Sequence, residues 1–368
     1  MRKRHPMKVL FISLFALFMS VSSCKKNKSG DSQNPGDVAI KTKVLATGLS
    51  HVWEVVYGPD KQLWITERSG KISRINPETG AVTALHTIAE VVSKGEGGLL
   101  GMTLNPDFEA NPWVYVVYDY GSNYKGKVVR FTYSNGTLNS PLVILDQIPA
   151  ASIHNGSRLL ITADKKLLIT TGDASEADNA QNMNSLSGKI LRVNLDGSIP
   201  ADNPVAGSRV WSLGHRNPQG LVLANGKLYE SEHGPNNDDE VNIIQKGRNY
   251  GWPNVEGYCD KDAEKTFCTA HNVVEPIQAW TPTIATSGLT YYSADLIPEW
   301  KNSLLLVSLK ASKLTQLKLD ASGDKVETSK DYLVNDYGRL RAICMSPDGK
   351  VYIGSSNGSD DKIIEIAK

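Results

Sequence analysis

The sequence has no excess of basic residues, no bias toward glycine or proline, and no hydrophobic run long enough to span a membrane. Lys and Arg number 40 against 39 Asp and Glu, and no stretch interleaves basic with aromatic residues, so a nucleic-acid partner is not expected. Gly and Pro, 31 and 17 of 368 residues, stay near average usage, which excludes collagen-like and low-complexity chains. An apolar fraction of 40% with a formal net charge of +1 excludes a chain that is disordered throughout.

The N-terminus has the pattern of an export signal. The first 23 residues contain four basic and no acidic side chains, and their apolar core, residues 9–21, is too short to cross a bilayer comfortably. Residues 21–24 resemble a bacterial lipobox, in which Cys24 becomes the lipid-bearing first residue of the mature protein. The alternative is an ordinary signal followed by an unrelated cysteine. We expect a lipoprotein signal peptide over residues 1–23, a flexible tether over residues 24–40, and an exported, membrane-anchored protein in the periplasm or on the cell surface.

Three further cysteines lie in the body of the chain. Cys259 and Cys268 are nine residues apart in a polar loop, and in an exported protein this spacing favours a disulfide over two unpaired thiols. Cys344 lies in an apolar stretch and is expected to be a small buried residue. None of these spacings is typical of a zinc site.

Beyond the tether the sequence predicts an all-β protein. A unit recurs roughly every 45–65 residues, in which apolar strands are joined by turns suited to hairpins. Six such units predict a six-bladed β-propeller over residues 41–368, in which a short strand at residues 41–46 completes the last blade. The alternative is a pair of β-sandwiches. The units include residues 58–75, 105–116, 158–170, 220–229, 288–307 and 341–353.

Several polar motifs lie at the ends of predicted strands. His154 precedes one strand and Asp173 ends its hairpin partner, so the two can meet as a general base with its orienting carboxylate, unless His154 is simply a structural histidine. Arg216 lies in the polar segment 212–220 and offers planar donors to an oxygen anion.

Two groups of residues suggest charged ligands. The acidic stretch at residues 238–240, beside a Gly-Pro turn that exposes carbonyl groups, suits calcium, although a solvated acidic turn explains it equally well. Three late basic residues, each expected to close a separate strand, are either ligands of a polyanion or surface charges. They are Lys310, Arg339 and Arg341.

Taken together, these motifs resemble the soluble pyrroloquinoline-quinone (PQQ)-dependent glucose and aldose sugar dehydrogenases. The resemblance extends from about residue 42 to residue 365. The matching segments are Gly97-Gly98-Leu99-Leu100-Gly101, His154-x-Gly156-x-Arg158-Leu159, Thr171-Gly172-Asp173, residues 213–220, Glu232-His233-Gly234-Pro235, residues 249–255, Ser308-Leu309-Lys310 and Arg339-Leu340-Arg341.

The resemblance implies a role for each matching position. It makes His154 the base that takes the sugar's C1 hydroxyl proton, Asp173 the carboxylate that orients it, and Arg216 the residue that stabilises charge on the quinone oxygen. The implied cofactor-binding residues are Glu96, His154, Arg216, Asn217, Gln219, Lys310, Arg339 and Arg341. The implied calcium ligands are the carbonyls of Gly234 and Pro235 for a calcium beside the quinone, and Glu240, Tyr250, Asp260 and the carbonyl of Glu256 for a structural calcium.

The sequence departs from the family pattern at two positions near the expected substrate. Glu96 stands where relatives carry Gln, and Ile153 stands where the glucose enzyme has Asp. We expect a paired, ionised Glu96 that also contacts sugar. The expected activity is oxidation of an aldose at C1 to a lactone, with PQQ and Ca²⁺ as cofactors and an external electron acceptor. The alternatives are a non-catalytic carbohydrate- or protein-binding propeller lipoprotein and a calcium-dependent lactonase.

Overall fold

The computed structural model describes residue 1 and residues 40–368. The predicted signal peptide, Cys24 and the tether lie outside the described residues, apart from Met1 and Ile40 at their ends. Among the residues described, no helix is both long and apolar enough to cross a membrane.

Residues 41–367 form six four-stranded antiparallel sheets, so the prediction of a six-bladed β-propeller is confirmed. In five blades the four strands follow one another along the chain, from the innermost strand to the outermost. The first two blades contain β2 (Val52–Tyr57), β3 (Leu63–Glu67), β4 (Lys71–Ile75) and β5 (Val82–Thr87), then β6 (Leu99–Leu104), β7 (Trp113–Tyr120), β8 (Lys125–Ser134) and β9 (Thr137–Pro149).

The next two blades contain β10 (Leu159–Ile161), β11 (Lys166–Thr171), β12 (Lys189–Asn194) and β13 (Val210–Leu213), then β14 (Pro218–Ala224), β15 (Lys227–Glu232), β16 (Asp239–Ile244) and β17 (Gln278–Trp280). The fifth contains β18 (Thr286–Tyr292), β19 (Ser303–Ser308), β20 (Lys313–Leu319) and β21 (Val326–Tyr332). The sixth contains β22 (Leu340–Met345), β23 (Val351–Ser355), β24 (Asp361–Ala367) and the N-terminal β1 (Lys41–Leu49).

The innermost strands β2, β6, β10, β14, β18 and β22 contact one another in sequence around a central channel. Strands in the middle of a blade are covered on both faces by neighbouring blades, which explains why they are continuous apolar runs. All six residues of β19, Ser-Leu-Leu-Leu-Val-Ser, are buried. The packing between the first two blades includes Trp64, Met102 and Tyr118.

The N-terminal strand closes the ring, as the sequence predicts, but it is longer than residues 41–46. It pairs antiparallel with β24, and Lys41 lies opposite Ala367. Leu45, Ala46 and Leu49 are buried by this pairing. Because β1 and β24 come from opposite ends of the chain, the sixth blade joins them by hydrogen bonds and apolar contacts.

Within residues 40–368, one α-helix interrupts the strands. α1 (Asp262–His271) lies between β16 and β17, and the predicted Cys259–Cys268 disulfide attaches it to the preceding loop. Short 3-10 helices cover Ala177–Ala180 and Pro298–Trp300.

Cys344 is half-buried, so the prediction of a buried cysteine is wrong. It lies on the innermost strand β22 and lines a cavity of about 250 Å³. Burial nevertheless raises the pKa of its thiol.

The closing strand yields a prediction about stability. Leu49→Ala removes a side chain that is buried at the β1–β24 junction, and we expect it to lower the free energy of unfolding by about 2–4 kcal/mol. Val44 lies on the same strand, but 40% of its surface is exposed, so Val44→Ala should lower the free energy of unfolding by less than about 0.5 kcal/mol. Urea unfolding of both variants measures the difference. Equal, small effects would mean that β1 contributes little to closure.

Candidate active site

The candidate residues gather at one end of the propeller because of how the blades are connected. In each blade the residues just before the innermost strand lie beside those just after the second strand, since the two strands are antiparallel. Residues that precede innermost strands are Glu96, His154, Arg216, Asn217 and Arg339. Residues that follow second strands are Arg68, Asp173, His233, Gly234 and Lys310.

The three late basic residues are placed differently from the sequence prediction that each closes a strand. Lys310 follows β19, but Arg339 precedes β22 and Arg341 lies within it, because the chain enters the innermost strand here. Arg341 is buried, whereas Lys310 and Arg339 are exposed. The Nζ atom of Lys310 donates to Thr283 Oγ1 at 3.1 Å.

His154 and Asp173 form a hydrogen-bonded pair. Nδ1 of His154 lies 2.9 Å from Oδ1 of Asp173. The Asp173 side chain is 2% exposed and the His154 side chain 16%. A proton on Nδ1 that is donated to the carboxylate leaves Nε2 as the basic nitrogen. The pair can therefore act as a general base whose ring orientation is fixed by a buried anion.

Further groups hold the Asp173 carboxylate and its backbone. The N–H of Ser175 donates to Oδ1 at 2.8 Å, and the indole N–H of Trp252 donates to Oδ2 at 2.9 Å. The N–H of Asp173 donates to the carbonyl of Arg216 at 2.8 Å. Trp252 belongs to a motif that the sequence analysis noted, but no role was assigned to it.

Glu232 fixes the segment that carries Arg216. Its Oε2 accepts from the Arg216 N–H at 2.7 Å, and its Oε1 lies 3.0 Å from His215 Nδ1. The Arg216 guanidinium donates to the His233 carbonyl at 3.2 Å and lies 5.3 Å from the centre of the Trp252 ring. Burial lowers the pKa of Arg216, and its position between Asp173 and Glu232 opposes that shift.

Asn217, Gln219 and Arg341 form a buried polar chain. Arg341 donates to Gln219 Oε1 at 2.7 Å, and Gln219 donates to Asn217 Oδ1 at 3.1 Å. The buried donors in this region that have no partner among the described residues include Arg216 Nε, Asn217 Nδ2 and Arg341 Nε. Buried N–H groups without acceptors cost free energy, so an anionic, oxygen-rich ligand fits here.

Positive charge accumulates around Arg341. Burial lowers its pKa to about 9, and the neighbouring charges of Arg339, Arg68 and Arg158 act in the same direction, while Glu96 opposes them. Glu96 is half-buried, interacts electrostatically also with Arg68, and accepts from the His154 N–H at 3.3 Å. The carboxylate predicted to be paired thus lies among cations and beside the candidate base.

The Gly234-Pro235 turn borders a small cavity of about 10 Å³. In the part of the chain that the structure describes, neither carbonyl accepts a hydrogen bond. The Gly234 N–H donates to Asp239 Oδ1 at 2.9 Å, and a Cβ at Gly234 would lie 1.8 Å from the Asn237 carbonyl oxygen. A cation bound by carbonyl oxygens fits this turn.

The residues predicted to bind the second calcium are only partly together. Glu240, Tyr250 and Glu256 line the same cavity, whereas Asp260 is exposed and is not among the lining residues. The Tyr250 hydroxyl donates to the Ile243 carbonyl at 2.8 Å and accepts the Gln245 N–H at 2.7 Å.

Sequence reasoning missed a buried acidic cluster next to this cavity. Glu230 and Glu232 on β15 lie opposite Asn242 and Glu240 on β16, so all four side chains share one face. The Asn242 amide donates to all three carboxylates at 3.0–3.4 Å, but Glu230 Oε1 has no partner within residues 40–368. Burial raises the pKa values of Glu230 and Glu240 well above their ordinary range. The alternation of acidic residues on β15 was the available signal.

The fold and this face define a class of protein: a six-bladed propeller that carries a histidine–carboxylate base beside a cradle for an anionic ligand. The family model described as "Glucose / Sorbosone dehydrogenase" matches residues 49–365. The chain belongs to the glucose/sorbosone dehydrogenase family.

Named relatives agree with this membership. The chain is 33% identical to quinoprotein glucose dehydrogenase B of Acinetobacter calcoaceticus over 84% of each chain. It is 30% identical to an aldose sugar dehydrogenase of Escherichia coli over 88% of this chain and 91% of the relative. Its structure resembles the PQQ-bound aldose sugar dehydrogenase of Streptomyces coelicolor with a TM-score of 0.80 and 32% identity, over 90% of this chain and 99% of the other.

The acidic cluster yields a prediction about pH. The pKa of Glu230 is higher in the folded protein than its ordinary value of about 4.5, so the unfolded chain loses this proton first as pH rises. With a chelator present, the free energy of unfolding of the wild type should therefore decrease between pH 5 and pH 8. This decrease should exceed that of Glu230→Gln by about 1 kcal/mol or more. Urea unfolding at both pH values measures it, with the exposed Glu327→Gln as control. If the free energies of unfolding of wild type and Glu230→Gln change in parallel with pH, Glu230 is ionised and paired in the folded protein, which would contradict the prediction.

Proposed function

We propose that the protein oxidises the C1 hydroxyl of aldose sugars to lactones with bound PQQ, and that electrons then pass to an external acceptor. The observation that carries this proposal is the pairing of the His154–Asp173 base with buried, unpartnered donors on the same face. A base alone would suit hydrolysis of a lactone, and a cationic cradle alone would suit a binding protein. Both together suit oxidation of a hydroxyl beside an anionic cofactor.

The chain's cations and amides fit a quinone with three carboxylates. Asn217, Gln219 and Arg341 would hold it with buried donors together with the half-buried Arg216, and the exposed Lys310 and Arg339 would add positive charge. When bound, PQQ would supply an acceptor for the hydride that leaves C1 of the sugar.

The chain's own residues remove the proton and stabilise the charges that develop. His154 Nε2 takes the proton of the C1 hydroxyl, and the Asp173 carboxylate stabilises the resulting imidazolium through the 2.9 Å contact at Nδ1. The Arg216 guanidinium is a preorganised positive charge that stabilises negative charge developing nearby. Glu96 binds the His154 backbone and presents its carboxylate to sugar hydroxyls.

Calcium is part of the proposal at two places. The free carbonyls of Gly234 and Pro235 would hold one ion beside the cofactor. Glu240 and the carbonyls of Tyr250 and Glu256, which line one cavity, would hold another that stabilises the fold. Oxygen ligands and the surplus of buried carboxylates support calcium here.

We also propose export as a lipoprotein anchored through Cys24. The disulfide Cys259–Cys268 supports an oxidising compartment.

The test of function is reconstitution of the purified protein with PQQ and calcium, followed by dye reduction over a panel of aldoses. We expect turnover only when both are present and loss of turnover with a chelator. His154→Ala should lower the rate by about 10²–10⁴-fold while retaining the cofactor, because the general base is lost. His271→Ala, on the exposed end of α1, is the matched control.

The absence of dye reduction with every aldose, in wild-type protein shown to bind PQQ, would contradict the proposed function. Wild-type rates in His154→Ala would remove His154 from the mechanism.

Glu96 yields a separate prediction about specificity. Because its charge is opposed by nearby arginines, Glu96→Gln should leave the affinity for PQQ within about tenfold, while the order of preference among aldoses changes. Quinone titration and kinetics on several sugars measure both, with the exposed Glu109→Gln as control. A large gain in quinone affinity with an unchanged sugar profile would identify Glu96 as an uncompensated charge.

A further inference from the structure

One indole group connects the candidate base to the candidate charge stabiliser. The Trp252 N–H donates to Asp173 Oδ2 at 2.9 Å, and Asp173 Oδ1 contacts His154 Nδ1 at the same distance. The Arg216 guanidinium lies 5.3 Å from the centre of the Trp252 ring, within range of a cation–π interaction. The same side chain thus contacts the groups proposed to move a proton and to stabilise negative charge.

Trp252 is itself held rigidly. Its backbone N–H donates to the Gly214 carbonyl at 3.1 Å, and its backbone carbonyl accepts from the Gln181 side-chain amide at 2.6 Å. Gly214 has a φ of +82°, and a Cβ there would lie 2.2 Å from Asn249 Oδ1, so the close approach requires glycine. Gln181 and Asn249 also exchange hydrogen bonds at 3.0 and 2.7 Å. These contacts fix the indole against the face that carries the base.

We propose that Trp252 is a positioning residue for the dehydrogenase reaction, which sets the orientation and basicity of His154 through Asp173. This inference rests on the proposed function. Asp173 is 1% exposed, and Trp252 is the partner of its Oδ2 in the described part of the chain. A buried carboxylate oxygen that loses its donor holds more of the negative charge and attracts the imidazolium more strongly. Loss of the indole N–H therefore favours protonated His154, the form that cannot accept a proton.

The other charged groups near the base are Glu96, which binds the His154 backbone, and Arg216, which interacts electrostatically with Asp173. Trp252→Phe leaves both in place and keeps an aromatic face for Arg216, but it removes the donor to Asp173. Trp211→Phe is the matched control. Trp211 is also half-buried, and its ring centre lies 4.9 Å from the Arg192 guanidinium, but it is on β13 and packs on the apolar cluster around Leu168 and Leu221 instead of donating to Asp173.

In the reconstituted enzyme, Trp252→Phe should lower kcat about tenfold, with the sugar KM and the affinity for PQQ within about threefold of wild type. The acidic limb of the pH–kcat profile should move to higher pH, because a larger fraction of His154 is protonated at a given pH. Trp211→Phe should change none of these. An unchanged kcat and pH profile in Trp252→Phe would overturn the proposal.

A double-mutant cycle separates positioning from a general structural effect. If Trp252 acts through Asp173, Trp252→Phe should lower kcat by less than about twofold in an Asp173→Asn background. A full tenfold loss in that background would show that Trp252 acts by another route and would overturn the proposal.

The histidine NMR titration of the quinone-free protein gives a readout that needs no activity. The titration midpoint of His154 should rise in Trp252→Phe and stay unchanged in Trp211→Phe. This rise in a protein that oxidises no sugar would contradict the proposed function while supporting the contact. An unchanged midpoint would overturn the positioning role, whatever the activity.

Discussion

The site depends on one feature: positive charge and unpaired N–H donors are buried at one end of the central channel. Arg341 is 5% exposed, its Nε has no partner among the described residues, and its neighbours are cationic. Such burial opposes folding unless a ligand supplies acceptors and negative charge. The ring of apolar strands tolerates this cost, and a quinone with three carboxylates would relieve it.

Buried carboxylates fix the positions of the loops at this end of the propeller. Asp173 orients His154, and Glu232 binds both the Arg216 backbone and His215. Both acids lie at or just after the end of a second strand, beside the start of an innermost one. A loop that would otherwise be mobile is thereby fixed to the sheet, which is what a base and a charge stabiliser require.

Much of the fold could be predicted from the sequence, because blade-forming hairpins repeat and their turn chemistry is local. The closing strand and the Cys259–Cys268 disulfide followed from pattern and compartment. Helix α1 was missed because Glu264 is its one buried side chain, so it carries no apolar stripe. The prediction for Cys344 was wrong because burial also depends on the cavity beside its strand. For the site, motifs located His154 and Asp173. The Trp252–Asp173 contact joins loops that are 79 residues apart, and the Glu230–Asn242 cluster depends on which face of two neighbouring strands each side chain takes.

If the buried donors around Arg341 hold an anionic quinone, calorimetric titration of quinone-free protein with PQQ in calcium-containing buffer should show it. We expect one site per chain in the wild type. The affinity should be at least about tenfold weaker in Arg341→Gln and unchanged in Arg130→Gln, because the Arg130 guanidinium packs on Trp113. Equal affinities in all three proteins, or no uptake by the wild type, would contradict this role of the buried donors.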